Sequence, residues 1–353
     1  MAVLVKGGGG TTNTSVIVVT TTFETLFGQE VTCSLDGGEY SLTSTFSDDG
    51  ICLFNVKYVG NYTVSASDGT VSTKETVTIT SDDIVNKTVL SCVLSLLKIV
   101  TWADGSWEEI NAMLEAHYND EINISDYWAV GDKRSVTLSA MSATGVDESH
   151  REQTVEFAIA GFDHDDLSTP INGHTKSAVA LTQVDCLMSE GCTTEQNNKE
   201  LGYMNSTNNT SGGWYSCARR TWCNNVYFNS IPEELRNIIK EVNKLTSAGL
   251  GSTTINTTTD KVFLISEIEE FGTTTNTAVG EGEQYPYYEI SSNRYKNPKS
   301  YHNSIPYESG NYYGRSPVTD ANGNTNFLRI DIEGGVNSSP ASAKLEIAPN
   351  ICI

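Results

Sequence analysis

Along the first part of the chain, apolar and β-branched residues recur in short runs that alternate with polar positions: residues 15–20, 30–34, 39–43, 51–56, 61–66 and 71–80. A period of two over five to ten residues is the pattern of a half-buried strand. Asp36-Gly37, Asp49-Gly50 and Asp68-Gly69 fall between the runs. In such pairs glycine supplies the positive φ of a tight turn and aspartate tolerates it. The expectation is a small antiparallel β-sandwich over residues 15–82, preceded by an N-terminal arm, residues 1–14, in which glycines 7–10 form a flexible tether.

The pattern changes around residues 81–90, and the boundary is placed near Asp82. Ser106 and Glu109 fit a capping box, followed at helical spacing by Ile110, Met113, Leu114 and His117. Ser230 with Glu233 gives a second helix start, with Pro232 in the first turn and Leu235, Ile238, Ile239, Val242 and Leu245 as an apolar stripe ending near Gly249. Strands are expected at 135–138, 154–160, 262–265, 327–332 and 345–347, the last close to the terminal Ile351-Cys352-Ile353. Helices mixed with antiparallel strands and long polar connections imply a multidomain chain whose second domain, residues 83–353, is α+β.

Charge narrows the function. With 44 acidic and 22 basic residues the net charge is −22, which repels a phosphate backbone and speaks against nucleic-acid binding. The opening MAVLVKGGGG lacks the apolar core of a signal peptide, and no run is long enough to cross a bilayer. Synthesis in a cytoplasm without membrane insertion is expected, and the eight cysteines read as reduced core thiols. The sequons Asn61-Tyr62-Thr63 and Asn205-Ser206-Thr207 follow from the abundance of Asn and Thr.

Candidate chemistry is sparse. The run Phe162-Asp163-His164-Asp165-Asp166-Leu167, with His150 and His174 nearby, brings carboxylates and imidazoles together, but without the ligand spacing of a calcium loop; a polar turn after a strand is the simpler reading. Cys186 and Cys192, then Cys217 and Cys223, make two C-x5-C pairs, wider than the usual zinc spacing, and are read as buried thiols. No nucleophile elbow or protease signature surrounds any histidine, and neither glycines 7–10 nor Gly280-Glu281-Gly282 suits a phosphate. No cofactor or metal is expected.

Composition near the C-terminus stands out instead. Half of the 16 tyrosines lie between Tyr285 and Tyr313, followed by Asp320, Asn322, Asn324 and Asn326. Tyrosine offers a large contact area at low entropic cost while Asn, Ser and Asp supply adaptable hydrogen bonds, as in antibody paratopes.

Two resemblances give this a context. GNYTVSASDG resembles the immunoglobulin-like modules of phage virions and bacterial surfaces, over roughly the first 80 residues. GGWYSCARRTWCNNVY, DKVFLISEIEEFG, NYYGRSP and IAPNICI are similar in order and spacing to a family of uncharacterised domains in phage tail and bacterial surface proteins, over residues 101–353. That family resembles the C-type lectin fold in the form shared by formylglycine-generating enzymes and the variable proteins of diversity-generating retroelements. Trp214, Ser216, Arg219 or Arg220, Trp222 and Asn224 match its helix signature, Arg315-Ser316-Pro317 its R-S-P, Phe327 the aromatic opening the next strand, and Ala348-Pro349 with Cys352-Ile353 its terminal strand. Tyr312 and Tyr313 stand where relatives often carry tryptophans.

The resemblance implies a non-enzymatic virion adhesin, made in the bacterial host cytoplasm and carried on a phage tail. It would comprise an N-terminal arm that binds other virion proteins, an immunoglobulin-like spacer, and a C-type-lectin-like domain that binds a host-surface protein or glycan. The expected ligand face is Tyr312, Tyr313, Gly314, Thr319, Asp320, Asn322, Asn324, Arg329 and Asp331, with Arg315 and Phe327 as framework. A homo-oligomer, with a trimer as one arrangement, would add avidity. The alternatives are a decoration protein of capsid or tail, and a copper-dependent oxidase of the formylglycine-generating type.

Overall fold

The computed structural model describes residues 14–21, 26–38, 40–67, 69, 72–94, 97–188, 202–296, 311–331 and 333–353. The glycine arm, Cys192, Tyr301, Tyr307 and Ile332 lie outside these residues. The chain is β-rich and divides into two compact units, residues 1–98 and residues 99–353.

In the first unit, β1 (Ser15–Thr20), β2 (Glu30–Leu35), β3 (Ser41–Thr45), β4 (Ile51–Val56), β5 (Gly60–Ser67) and β6 (Ser72–Ile79) follow the expected runs closely. A short helix α1 (Ser81–Asn86) leads into β7 (Val89–Val93). Two sheets, ordered β4-β1-β7 and β3-β2-β5-β6, enclose one core that includes Ile17, Val31, Phe54, Tyr62 and Ile79. The alternation is plain in β4, where Cys52, Phe54 and Val56 face inward and Ile51 and Leu53 outward. The boundary falls later than Asp82 because β7 returns to lie parallel to β1, from Val16↔Val89 to Thr20↔Val93, and contributes Cys92 to the same core.

The second unit opens with α2 (Trp107–Tyr118), capped as expected: Ser106 Oγ accepts from the Glu109 N–H and the Glu109 carboxylate accepts from the Ser106 N–H. Its main sheet has the order β15-β19-β12-β9-β8, formed by β8 (Lys133–Leu138), β9 (Gln153–Phe162), β12 (Val179–Gln183), β15 (Val262–Phe263) and β19 (Asn350–Cys352). The last residues therefore pair on both sides, Leu181↔Ile351 and Val262↔Ile351, and Ile351, Cys352 and Ile353 are fully buried.

A second sheet, β11-β10-β13-β14, comprises β10 (Asp166–Ile171), β11 (His174–Lys176), β13 (Val242–Ser247) and β14 (Ile255–Asp260). A third, β16-β17-β18, comprises β16 (Tyr312–Pro317), β17 (Asn326–Ile330) and β18 (Val336–Pro340). Between β12 and β13 lie α3 (Ala218–Trp222), a π-helical turn Cys223–Tyr227, α4 (Phe228–Ser230) and α5 (Glu233–Ile238). A further short helix, α6 (Glu267–Phe271), follows β15.

Two expectations need correction. The helix expected to run on to Gly249 stops at Ile238, and Val242–Ser247 is a strand with Val242, Lys244 and Thr246 inward and paired along its length with β14. Ser230 does not cap it; its hydroxyl donates to the Tyr227 carbonyl (2.7 Å). Residues 345–347 form no strand, only single bridges of Leu345 with Gly202 and of Glu346 with Tyr312.

Candidate binding surface

Lys244 points into the second unit because β13 alternates, and a buried ammonium demands partners. It forms ion pairs with Asp165, the residue before β10, and with Glu269 of α6 (2.5 Å). Arg315, in the middle of β16, meets the same Glu269 through a two-pronged contact (2.5 and 2.8 Å) and donates to the carbonyls of Leu264 and Glu281 (both 2.8 Å). Tyr285 completes the cluster, its hydroxyl 2.9 Å from both Asp165 oxygens. Burial opposes ionisation of Asp165 and Glu269. The Lys244 ammonium at Asp165, and the Arg315 guanidinium with Lys244 at Glu269, outweigh it and hold both carboxyls below the usual range.

Two cations and two carboxylates thus largely neutralise one another, and at the other buried acids burial prevails. Burial pushes Glu281 up to about 7, although Ser316, Arg315 and the Ser247 N–H (2.6 Å) partly offset it. Burial pushes Glu270 to about 7 as well, against the pull of Lys296 and of the Tyr312 hydroxyl that donates to it. The buried pair Arg219–Asp147 and the half-buried Arg220 with buried Asp260 (2.6 Å) fix the α3 segment.

Tyr312, Tyr313 and Gly314 therefore do not form part of an outward face. Tyr312 and Tyr313 are each 1% exposed. The Tyr312 hydroxyl shares its one proton between Glu270 and the Arg294 carbonyl (2.9 Å), and that of Tyr313 between the carbonyls of Pro340 (2.6 Å) and Ala343 (3.0 Å). A side chain at Gly314 would collide with Leu328 and the Ile265 carbonyl. Among the other described tyrosines of the cluster, Tyr285, Tyr287 and Tyr288 are buried and Tyr295 is exposed. Asp331 is also absorbed: its Oδ1 accepts from the N–H groups of Glu333 (3.0 Å) and Gly335 (2.8 Å), building the β17–β18 turn. Arg329 is half-buried in the central strand of the third sheet, opposite Tyr313 and Asn337. Arg315 and Phe327 are framework, both fully buried.

What remains outward is the loop joining β16 to β17. Asp320, Asn322 and Asn324 are exposed and Thr319 is half-buried. The loop is tied down at three points. Thr319 N–H donates to the Asn276 carbonyl (2.7 Å), Thr210 N–H donates to the Asn324 carbonyl (3.2 Å), and the Thr210 hydroxyl donates to the Gly323 carbonyl, while within the loop Asp320 Oδ1 accepts from Asn322 N–H (2.7 Å). Thr210 Oγ1 in turn accepts from Leu250 N–H (2.9 Å), and Gly323 lies so close to Gly251 that a Cβ there would sit 2.5 Å from the Gly251 Cα. Four loops, 205–212, 248–254, 272–280 and 318–325, converge on one surface. The same loops carry exposed Leu250 (53%) and Val279 (77%). The sequence singled out neither apolar residue, because an isolated leucine or valine among turn formers leaves no periodic signal.

The acidic run near residue 165 is dispersed. Asp163 faces His117 (3.3 Å), Asp165 faces Lys244, Asp166 faces Lys176 (2.7 Å), and His174 faces Asp120 (3.2 Å). Among the described residues no group of three or more His, Cys, Asp or Glu is arranged to hold a metal ion. Cys186, Cys217 and Cys223 are buried free thiols, and burial raises the pKa of each, to about 11 at Cys217. Among the described residues no helix is long and apolar enough to cross a membrane.

A family model described as Domain of unknown function (DUF6273) matches residues 181–353, from β12 to the last strand. No curated protein and no solved structure matches the chain.

Proposed function

We propose that this chain is a receptor-binding adhesin of a phage virion, in which the surface around Asp320, Asn322 and Asn324 contacts a protein or glycan on the host cell. The observation that carries the reading is a loop whose ends are held by backbone hydrogen bonds to neighbouring loops while its polar side chains face solvent. A surface fixed before contact loses little entropy when it binds. In this reading the first unit is an immunoglobulin-like spacer, the N-terminal arm joins other virion proteins, and the second unit is a C-type-lectin-like domain. The buried end of the chain, paired on both sides in the main sheet, supports that assignment. Affinity per loop surface is modest, and several copies on one particle raise it by avidity.

The test is adsorption of the fluorescently labelled full chain to a panel of bacterial cells. Binding to at least one strain should fall about tenfold or more, equivalent to about 1.4 kcal/mol, when Asp320, Asn322 and Asn324 all become alanine. Undiminished adsorption of that triple variant would remove the loop from the function.

A further inference from the structure

We infer that the second unit carries a separate site for a neutral saccharide, in the cleft between the α3 and π-turn segment and the corner joining β14 to β15. The cleft has a volume of about 340 Å³, at the lower end of the range of about 300–1,000 Å³ typical of small-ligand sites. None of its lining residues belongs to the four loops described above.

Its walls are polar and electrically balanced. Arg220 donates to Asp260 (2.6 Å) and to the Thr259 carbonyl (2.9 Å), which cancels its charge and fixes its plane. Lys261 and Glu241 face each other at 3.8 Å, both partly exposed. An anion would have to share the cleft with Glu241, and a cation with Lys261 and Arg220, so an uncharged ligand is favoured.

The same pair explains why hydroxyl groups suit it. A sugar hydroxyl both donates and accepts, and one seated between Lys261 and Glu241 meets a donor and an acceptor at once. The exposed Asn225 donates its amide N–H to the Thr221 carbonyl (2.8 Å), and its amide oxygen and the hydroxyl of the exposed Thr221 add an acceptor and a donor to the lining. The half-buried Phe228 ring, with the Lys261 ammonium 5.0 Å from its centroid, supplies the apolar surface for the C–H face of a sugar ring.

The cleft is also held in place. Asn224, on the π-helical turn, donates to the carbonyls of Arg220 (3.1 Å) and Val262 (3.0 Å) and to Asp260 (3.0 Å), and accepts from the N–H groups of Lys261 (2.8 Å) and Val262 (3.2 Å). One side chain thereby locks the helical segment to the strand corner. A wide π turn is uncommon and tends to occur where function requires a particular side-chain direction; here it turns Asn224 inward and Asn225 outward.

The experiment is a ligand-observed NMR titration of the full chain with neutral hexoses, N-acetylhexosamines and their disaccharides, using glucuronic acid and glucose 6-phosphate as charged comparators. At least one neutral sugar should bind with a Kd of about 1 mM or tighter. Asn225→Ala, Glu241→Gln and Lys261→Met should each weaken it about threefold to tenfold with an unchanged melting temperature. The alanine triple at Asp320, Asn322 and Asn324 should leave it intact, so this site and the loop surface fail independently. The inference is overturned by no binding of any neutral sugar, by binding of the charged comparators alone, or by binding that the three cleft variants leave unchanged.

Discussion

Replacing Glu270 by glutamine should stabilise the second unit at pH 8 and change little at pH 4.5. The Glu270 carboxyl is fully buried; Tyr312 donates to one oxygen, and the other, Oε2, has no hydrogen-bond partner. Lys296 attracts it but spends donors on Thr182 Oγ1 (3.1 Å) and the Gln183 carbonyl (2.5 Å). Burial therefore wins, and the acid titrates near 7 when folded instead of 4.5. A raised folded value means that the native state holds its proton longer than the unfolded chain. Its contribution is fully present below pH 4.5 and is lost as the pH rises through about 7. A difference of about 2.5 pKa units corresponds to roughly 3 kcal/mol.

Glutamine has the shape of the protonated acid and does not titrate, so the variant should lack this part of the pH slope. Glu281 drives the same trend and leaves a residual slope in the single variant. Asp147, Asp165 and Glu269, held low, lose their contribution only on acidification below the ordinary carboxylate range. The assay is guanidinium unfolding followed by tryptophan fluorescence between pH 4.5 and 8.5. All five tryptophans, at 102, 107, 128, 214 and 222, lie in the second unit, so the first is silent. Equal pH dependence in both proteins, or a variant weaker than the parent at pH 8, would refute the reasoning and show that the Lys296 attraction outweighs desolvation.

Three other outcomes follow from the same packing. Arg315→Met strips Glu269 of its two-pronged partner and orphans the Leu264 and Glu281 carbonyls; a loss of about 3–5 kcal/mol should appear as a collapsed melting transition, and a variant that melts with the parent would contradict the network. Gly249→Ala, at φ +77 with a Cβ placed 1.7 Å from the Thr210 carbonyl oxygen, should cost more than Gly251→Ala, at φ +72 with its nearest atom at 4.0 Å. Strain at positive φ alone accounts for about 1–3 kcal/mol of either, and equal melting temperatures would deny the close approach. Tyr312→Phe and Tyr313→Phe should each cost about 1–3 kcal/mol of stability without altering cell adsorption by the folded fraction, whereas Asn322→Ala combined with Asn324→Ala in the loop, which leaves the Asp320 turn intact, should do the reverse; calorimetry beside the adsorption assay separates the two.

The sequence was most readable where burial is one-sided. In β4 the inward Cys52, Phe54 and Val56 alternate with outward residues, and its ends coincide with the expected run. The capping box of α2 was equally legible because Ser106 and Glu109 act locally. Strand β13 was not. Leu235, Ile238, Ile239, Val242 and Leu245 satisfy a helical stripe, and the competing period of two became visible only once Lys244 counted as an inward residue. A lysine earns that position only through Asp165 and Glu269, which sequence distance hides. Strand β7 was missed for the opposite reason: Val89 and Val93 are exposed, so apolarity there does not report the core.

The tyrosine-rich segment shows why composition alone could not tell a recognition surface from an interior. A phenol pairs a large apolar ring with one polar tip, which suits a contact face and a polar core equally. This unit needs the second, because its long connections leave carbonyls that no strand ladder satisfies, and buried carbonyls must find donors. Arg315 serves Leu245, Leu264 and Glu281; Tyr313 serves Pro340 and Ala343; Tyr312 and Arg294 serve Arg294 and Tyr288. Side chains thus replace missing backbone partners and fasten the loops from beneath. Such a fastening dictates where variation is tolerable: a change at Tyr312 or Arg315 releases a carbonyl into the core, while a change at Asn322 or Asn324 alters only what faces water. Along β16 and its connecting loop the polar side chains open to water are therefore those of the loop, Asp320, Asn322 and Asn324, and not the phenols of the aromatic strand.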